Sequence, residues 1–301
     1  MPYYIFAIFA LFSSVGNTIF NRISSHKIGS VLSSVIKSFM ITIACFIICL
    51  AFGHAKDLYA LNKAQWIWIL ILGVITIIDW LFYFLAIKRS HLEAFAPLEA
   101  SSILFFSNLL FSIFMISVVT SGATTLNIIF YYLGLALLLI SMIYIVFNKK
   151  INPTAKSIWI IYSLISALAF GFVLLIIKIK LSHISSDVIA FHQMLMVFVI
   201  CGVSLCFSKE RTEIKTVTGK TYLNFFISAI FNALLMIFRY KALSYTSANP
   251  SIVNIITNLD FVFVSLATVL FFKAHNKKQL IILIILVVVG MVLSSLPAMI
   301  N

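Results

Sequence analysis

The chain has 301 residues, of which 63% are hydrophobic and 10% charged, and its mean hydropathy is +1.16. Soluble domains average about 45–50% apolar and about 25% charged residues, so this composition excludes a water-soluble fold and predicts an integral membrane protein. The net charge of +13 does not point to nucleic acid, because the cations fall in short clusters between apolar runs, as in loops that touch anionic headgroups.

A spanning helix needs about 20 mostly apolar residues. Ten such runs follow, at 2–23, 30–53, 64–87, 95–119, 126–147, 157–180, 187–208, 221–244, 249–272 and 278–299. The first begins MPYYIFAIFALF, without the basic start and small-residue cleavage site of a signal peptide, and is expected to be retained. Its Asn17 reads as a helix–helix hydrogen bond, as do Asn108 and Asn232 further on, each worth about 0.6 kcal/mol. In the second run, SSVIKSFM carries Lys37 about two turns inside the span, able to face a cavity or to snorkel to the interface. The third, ITIIDWLFYF, holds Asp79 with Tyr83 four residues on and on the same face. Asp79 there could load and release a proton, or pair with a basic residue of another helix. Glu99 lies about one turn into the fourth run, as a gate or an interfacial ion pair.

The fifth and tenth runs carry no mid-span charge and are expected to face lipid or a second copy of the chain, a homodimer through those two helices. The seventh contains AFHQMLM, with His192 and Gln193 well inside the span. A lone His in a helix is more often a packing residue than a ligand. Near the end of the eighth, Arg239 could clamp a carboxylate or snorkel. The ninth starts NPSIVNIITNLDFVF. Asn249 and Pro250 suit a helix start, and Asn254 and Asn258 share one face at i, i+4. Asp260 is the deepest charge, roughly 16 Å from either surface. On a continuous helix it sits about 200° round from Asn258, towards a different neighbour. It could couple protons, bind a substrate amine, or form a structural ion pair. Charge at the bilayer centre costs about 2.5–3.5 kcal/mol on insertion scales, so such residues usually face a protein interior or a wet cavity.

Sliding the chain on itself by 156 residues, without gaps, superimposes the first five runs on the last five. Ile5 meets Ile161, Met40 meets Met196, Cys45 meets Cys201, Phe82 meets Phe238, Phe105 meets Phe261 and Gly134 meets Gly290. The same register sets Lys37 on Gln193 and Tyr83 on Arg239. Five is odd, so the second unit enters the membrane from the opposite side. The expected fold is an all-α polytopic membrane protein of ten transmembrane helices in two inverted-topology repeats, residues 1–150 and 151–301, with its site near the midplane between them.

The hairpin FYFLAIKRSHLEAFAPLEASSILFFSNLLF (82–111), echoed by FRYKALSYTSANPSIVNIITNLDFVFVSLATVLFF (238–272), together with the five-plus-five pattern, resembles the EamA-type drug/metabolite transporter superfamily. The likeness runs over nearly the whole chain. It implies a secondary transporter of small polar metabolites such as amino acids, an exporter by default, in the plasma membrane, most simply a bacterial inner membrane. Two departures stand out. The proline usual within the fourth and ninth helices is replaced by Leu104 and Asp260. The glutamate usual at the end of the ninth gives way to Phe272 and Lys273. The resemblance implies both termini in the cytoplasm. The charge bias points the other way, since only six Lys/Arg (Lys56, Lys63, Lys178, Lys180, Arg239, Lys241) lie on the side of the termini and fourteen on the other.

No phosphate loop, HExxH, GxSxG or paired CxxC occurs. The four cysteines (Cys45, Cys49, Cys201, Cys206) lie within apolar runs and read as small hydrophobes. No cofactor, metal or catalytic residue is expected. The expected partners are a small-molecule substrate, the bilayer and a coupling proton. The rival reading is a membrane enzyme acting on lipid-linked substrates, and its candidate cluster is Lys88, Arg89, His91 and Glu93. A third is a non-transporting helical subunit.

Overall fold

The computed structural model describes residues 2–25, 28–90, 92–115, 125–148, 158–271 and 277–299. In hydrocarbon every backbone N–H and C=O must be satisfied within the protein, which leaves helices for open-chain segments. Accordingly no strand occurs among the described residues. The first half folds as α1 (Tyr3–Ser25), α2 (Ser30–Ala51), α3 (Lys63–Arg89), α4 (Leu92–Phe114) and α5 (Thr125–Phe147). In the second half α6 (Ile158–Ile176) runs into a π turn (Ile177–Leu181). Then come α7 (Ser186–Phe207), a 3-10 segment (Lys209–Thr216), α8 (Gly219–Ser244), α9 (Pro250–Asn258), α10 (Asp260–Phe271) and α11 (Lys277–Met299).

Helices α1 to α8, with the π turn counted into α6, are each long and apolar enough to cross a membrane. For the expected ninth and tenth spans the described residues give the apolar stretches Pro250–Ser265, within α9 and α10, and Lys278–Ser294, within α11. The ninth is not continuous: it breaks at Leu259, whose N–H reaches the carbonyls of both Ile255 and Ile256, at 3.1 and 3.3 Å. Phe272 and Lys273 lie outside the described residues.

Local chemistry sets several helix starts. Asn62 and Gln65 form a capping box on α3, with reciprocal side-chain to backbone bonds of 2.9 and 2.8 Å. The Asn249 side chain accepts from Ser251 N–H at 3.0 Å with Pro250 in the first turn of α9, as the capping signal predicts. The start of α2 is capped from the other half of the chain. Glu213 accepts from Gly29 N–H at 2.6 Å and Glu210 from Leu32 N–H at 3.0 Å, anions where the helix dipole favours them.

The closest packing crosses the two halves: α1 on α8, α2 on α7, α3 on α6, α4 on α6, and α5 on α11, while α1 also packs on α9 and α10. The 156-residue shift sends α1 to α6, α2 to α7, α3 to α8, α4 to the α9–α10 rod and α5 to α11. Under it, each of these pairings maps onto another or onto itself. At the α5–α11 contact the repeat-related Gly134 and Gly290 face one another. A Cβ on Gly134 would meet Gly290 O at 2.6 Å and the Ser294 amide closer still, so backbone lies directly on backbone. The outer faces of both helices, Ile129, Tyr132, Leu133 and Ile140 on one and Ile281, Ile285 and Val289 on the other, are exposed and apolar. Gly134→Ile should therefore pry α5 from α11 and destabilise the protein by about 1–3 kcal/mol, the usual cost of overpacking. The check is a fall in Tm in detergent; an unchanged Tm would mean that the two helices are not held at this contact.

Candidate functional site

Polar side chains buried among apolar helices must find partners or water. Here they converge on one cavity of about 120 Å³, lined by α1, α2, α3, α4, α6, α7, α8, α9 and α10. Two cations and three carboxylates border it: Lys37, Arg239, Asp79, Glu99 and Asp260. Lys37 is 2% exposed, Arg239 5% and Asp79 8%.

The hydrogen bonds show how each is held. Lys37 Nζ donates to Asn17 Oδ1 at 2.8 Å, and Ser228 donates to the same oxygen at 3.1 Å. Ser166 of α6 donates to Asp79 Oδ1 at 2.6 Å, and Ser14 of α1 to Asp260 Oδ2 at 2.5 Å. Tyr240 donates to Gln193 Oε1 at 2.7 Å, and Gln193 Nε2 donates to Thr76 at 2.6 Å. Asn21 donates to the Tyr83 hydroxyl at 3.2 Å. Each bond joins side chains on different helices, so the helix packing fixes the site.

Neither Lys37 nor Arg239 comes within 4.0 Å of Asp79 or Asp260; the one direct ion pair among the described residues is His54–Asp187, outside the cavity. The cations lie instead over aromatic rings, Lys37 at 5.4 Å from the Trp80 centroid and Arg239 at 5.1 Å from that of Phe170. Arg239 Nε is buried without a hydrogen-bond partner. Lys37 and Arg239 thus share a space with Asp79 and Asp260 without direct contact to either, an arrangement suited to a ligand with an anionic end and a donor end. The volume is close to the roughly 150 Å³ that holds a benzene in an engineered cavity.

Eight of the ten residues singled out from sequence line this cavity: Lys37, Asp79, Tyr83, Glu99, Gln193, Arg239, Asn258 and Asp260. Asn254 stands behind it, hydrogen-bonded to Ser107 of α4 and, through its own oxygens, to Asn258 Nδ2 at 2.7 and 2.8 Å. His192 also lies outside. Its Nδ1 is 2.9 Å from the Val188 carbonyl, which can only accept, and its ring meets Trp66 edge-on at 4.9 Å. It is a packing histidine. Two expectations need correcting. Lys37 and Arg239 do not snorkel, because α2 and α8 bury those positions against other helices. Asp260 does not turn to a different neighbour, because the cavity is wide enough for Asn258 and Asp260, on either side of Leu259, both to line it.

Sequence reading did not pick out Ser14, Thr18, Ser166 and Tyr240; Asn17 makes the expected helix–helix bonds, to Lys37 and Ser228, and with Asn232 also lines the cavity. Yet the repeat register contained the signal. Eight pairs related by the 156-residue shift line the cavity on both sides: Ser14/Phe170, Asn17/Val173, Lys37/Gln193, Thr76/Asn232, Asp79/Leu235, Trp80/Met236, Tyr83/Arg239 and Phe84/Tyr240. Away from the cavity, Arg89 stacks over Tyr162 at 5.3 Å and donates to its hydroxyl at 3.3 Å. His91 and the side chain of Glu93 lie outside the described residues. Among the described residues no group of three or more His, Cys, Asp or Glu could hold a metal.

Residues 157–296 match the EamA-like transporter family. No curated protein matches the chain. A solved structure titled "Crystal structure of protein" superimposes with a TM-score of 0.64 over 97% of this chain and 96% of its own, at 16% identity, which establishes a shared fold. The apolar helices, with the match to a transporter family, indicate an integral, multi-pass membrane protein. Over residues 157–296, the second half of the chain, it is similar to the EamA-like transporter family.

Proposed function

We propose that the protein is a secondary transporter that moves a small polar metabolite, of amino-acid size and kind, by alternating access. Two inverted five-helix repeats, residues 1–150 and 151–301, form it, with ten crossings in which the α9–α10 rod is the ninth and α11 the tenth. The observation that carries this reading is the cavity itself. It lies between the halves, collects the buried charges, and is lined by pairs that the repeat register relates. Broken helices at the midplane are where transporters of inverted-repeat build hold their cargo, and the break at Leu259 lies beside Asn258 and Asp260. On the insertion scale the four charges Lys37, Asp79, Arg239 and Asp260 cost on the order of 10–14 kcal/mol. A purely structural subunit would have little to set against that cost.

In this reading Arg239 holds an anionic group of the cargo and the carboxylates hold its donor end. Asp260 carries the coupling proton, and transport runs outward across a plasma membrane, a bacterial inner membrane by family resemblance. A homodimer through the outer faces of α5 and α11 belongs to the same proposal. The test is counterflow in proteoliposomes loaded with a pooled metabolite set and read by mass spectrometry. Exchange of one chemical class supports the reading. Failure to exchange any class, with protein shown to be folded and inserted, would turn attention to an interfacial enzyme near Arg89.

A further inference from the structure

The repeat register separates the cavity lining into two sets. Eight pairs line it from both halves, but eleven residues line it without their repeat counterparts. Eight of those eleven lie on α4 and on the α9–α10 rod. On α4 they are Ala96, Glu99, Ala100 and Ile103; on the rod, Asn258, Asp260, Phe261 and Val264. Their counterparts, Ile252, Ile255, Ile256 and Leu259 on the rod and Ser102, Leu104, Phe105 and Asn108 on α4, are not among the lining residues. The asymmetry of the present state is therefore concentrated in these two elements. In an inverted-repeat protein that faces two sides alternately, the second state is the first with the halves exchanged. The residues now withheld are those that the exchange would turn inward.

One of them bears an independent mark. Asn108 is the counterpart of Val264, which lines the cavity. It is fully buried, and neither its amide nitrogen nor its amide oxygen has a hydrogen-bond partner. Only its main-chain carbonyl is engaged, accepting from the Tyr131 hydroxyl at 2.7 Å. Buried side-chain amides are nearly always satisfied, so a doubly unsatisfied one in a lipid-spanning helix needs a reason. The polar chain beside it runs from Ser107 through Asn254 to Asn258 at the cavity. Ser251, the second residue of α9, also keeps a buried hydroxyl without a partner.

We propose that Asn108 is a ligand-facing residue of the alternate state: α4 and the α9–α10 rod exchange roles around the cavity, and the Asn108 amide then meets cargo and water from the face now closed. Its amide donates and accepts, so it suits a polar, hydrogen-bonding ligand. The inference rests on the transporter reading above.

The test is thiol accessibility with a membrane-impermeant, cationic methanethiosulfonate, applied to right-side-out and inside-out vesicles. Cys45, Cys49, Cys201 and Cys206 are first replaced by Ala. Three single cysteines are compared: Glu99→Cys in the present cavity, Asn108→Cys, and Tyr59→Cys, which is 87% exposed in the α2–α3 connection and marks that face. Asn108→Cys should label from the Tyr59 face, and Glu99→Cys from the opposite one. Labelling of Asn108→Cys should be about ten- to a thousandfold slower than that of Tyr59→Cys, if the alternate state is populated at about 0.1–10%. Labelling of Asn108→Cys from the Glu99 face, or from neither, overturns the proposal. Failure of Glu99→Cys to label from either face would instead sink the transporter reading. Should Asn108→Cys not reach the membrane, Phe105→Cys, the counterpart of the lining residue Phe261, decides the same question.

Discussion

Replacing Arg239 by Gln should lower exchange of the transported class, at subsaturating concentration, by about 30- to 3,000-fold. Removing one member of a buried, hydrogen-bonded charge pair costs about 2–5 kcal/mol, and each 1.4 kcal/mol is about a factor of ten. In this cavity the guanidinium is held by packing over Phe170, with Nε left without a partner and no carboxylate within ion-pair distance. Its free donors are thus available to a cargo carboxylate. Arg239→Lys keeps the charge but loses the planar fork, and should recover only part of the affinity. Thermal stability should move little, since no Arg239 hydrogen bond or ion pair to the protein is broken. Exchange within about threefold of wild type, less than 1 kcal/mol, would remove Arg239 from the cargo site.

The second large effect separates the two deep aspartates. Asp260→Asn should abolish accumulation driven by a pH gradient while leaving counterflow exchange active, because exchange needs no net proton movement. The sign follows from the substitution. Asn mimics the protonated carboxyl, so the variant's exchange rate should be constant with pH and match that of wild type at the acid end, diverging as pH rises. Asp260 is the candidate because it opens α10 at the helix break, on a rod that changes place in the proposed cycle. Asp79 sits on the continuous helix α3, tied to Ser166 at 2.6 Å. Asp79→Asn should weaken cargo binding and keep the pH dependence. Gradient-driven accumulation surviving in Asp260→Asn and lost in Asp79→Asn would reverse the two roles; survival in both would end proton coupling through either.

Much of the frame was legible from residues. Runs of apolar residues marked the helices because hydrocarbon permits little else. The deep charges were visible for the same reason: Asp79 and Asp260 are costly enough in lipid to stand out against any apolar background. Ser14, Thr18 and Ser166 were not, since a hydroxyl in a helix can bond its own turn and so carries little signal. The angular argument about Asp260 failed because it assumed that two faces of one helix meet two different neighbours, when a cavity lined by several helices takes residues from both. The snorkelling expectation for Lys37 and Arg239 failed because it treated the end of a helix as lipid-exposed, when packing partners set that exposure.

The cross-half pairing has a consequence for synthesis. Helices α1, α2, α3 and α5 each pack most closely on a helix from the second half, and the start of α2 is capped by Glu210 and Glu213. A ribosome adding about 5–20 residues per second needs roughly 8–30 s to complete the remaining 150 residues. For that time five helices wait in the bilayer with Asp79 and the bare amides of Gly29 and Leu32 unserved. The nascent first half is then the natural client of insertion chaperones and membrane proteases. Separately encoded halves, expressed together, should rescue one another where neither survives alone.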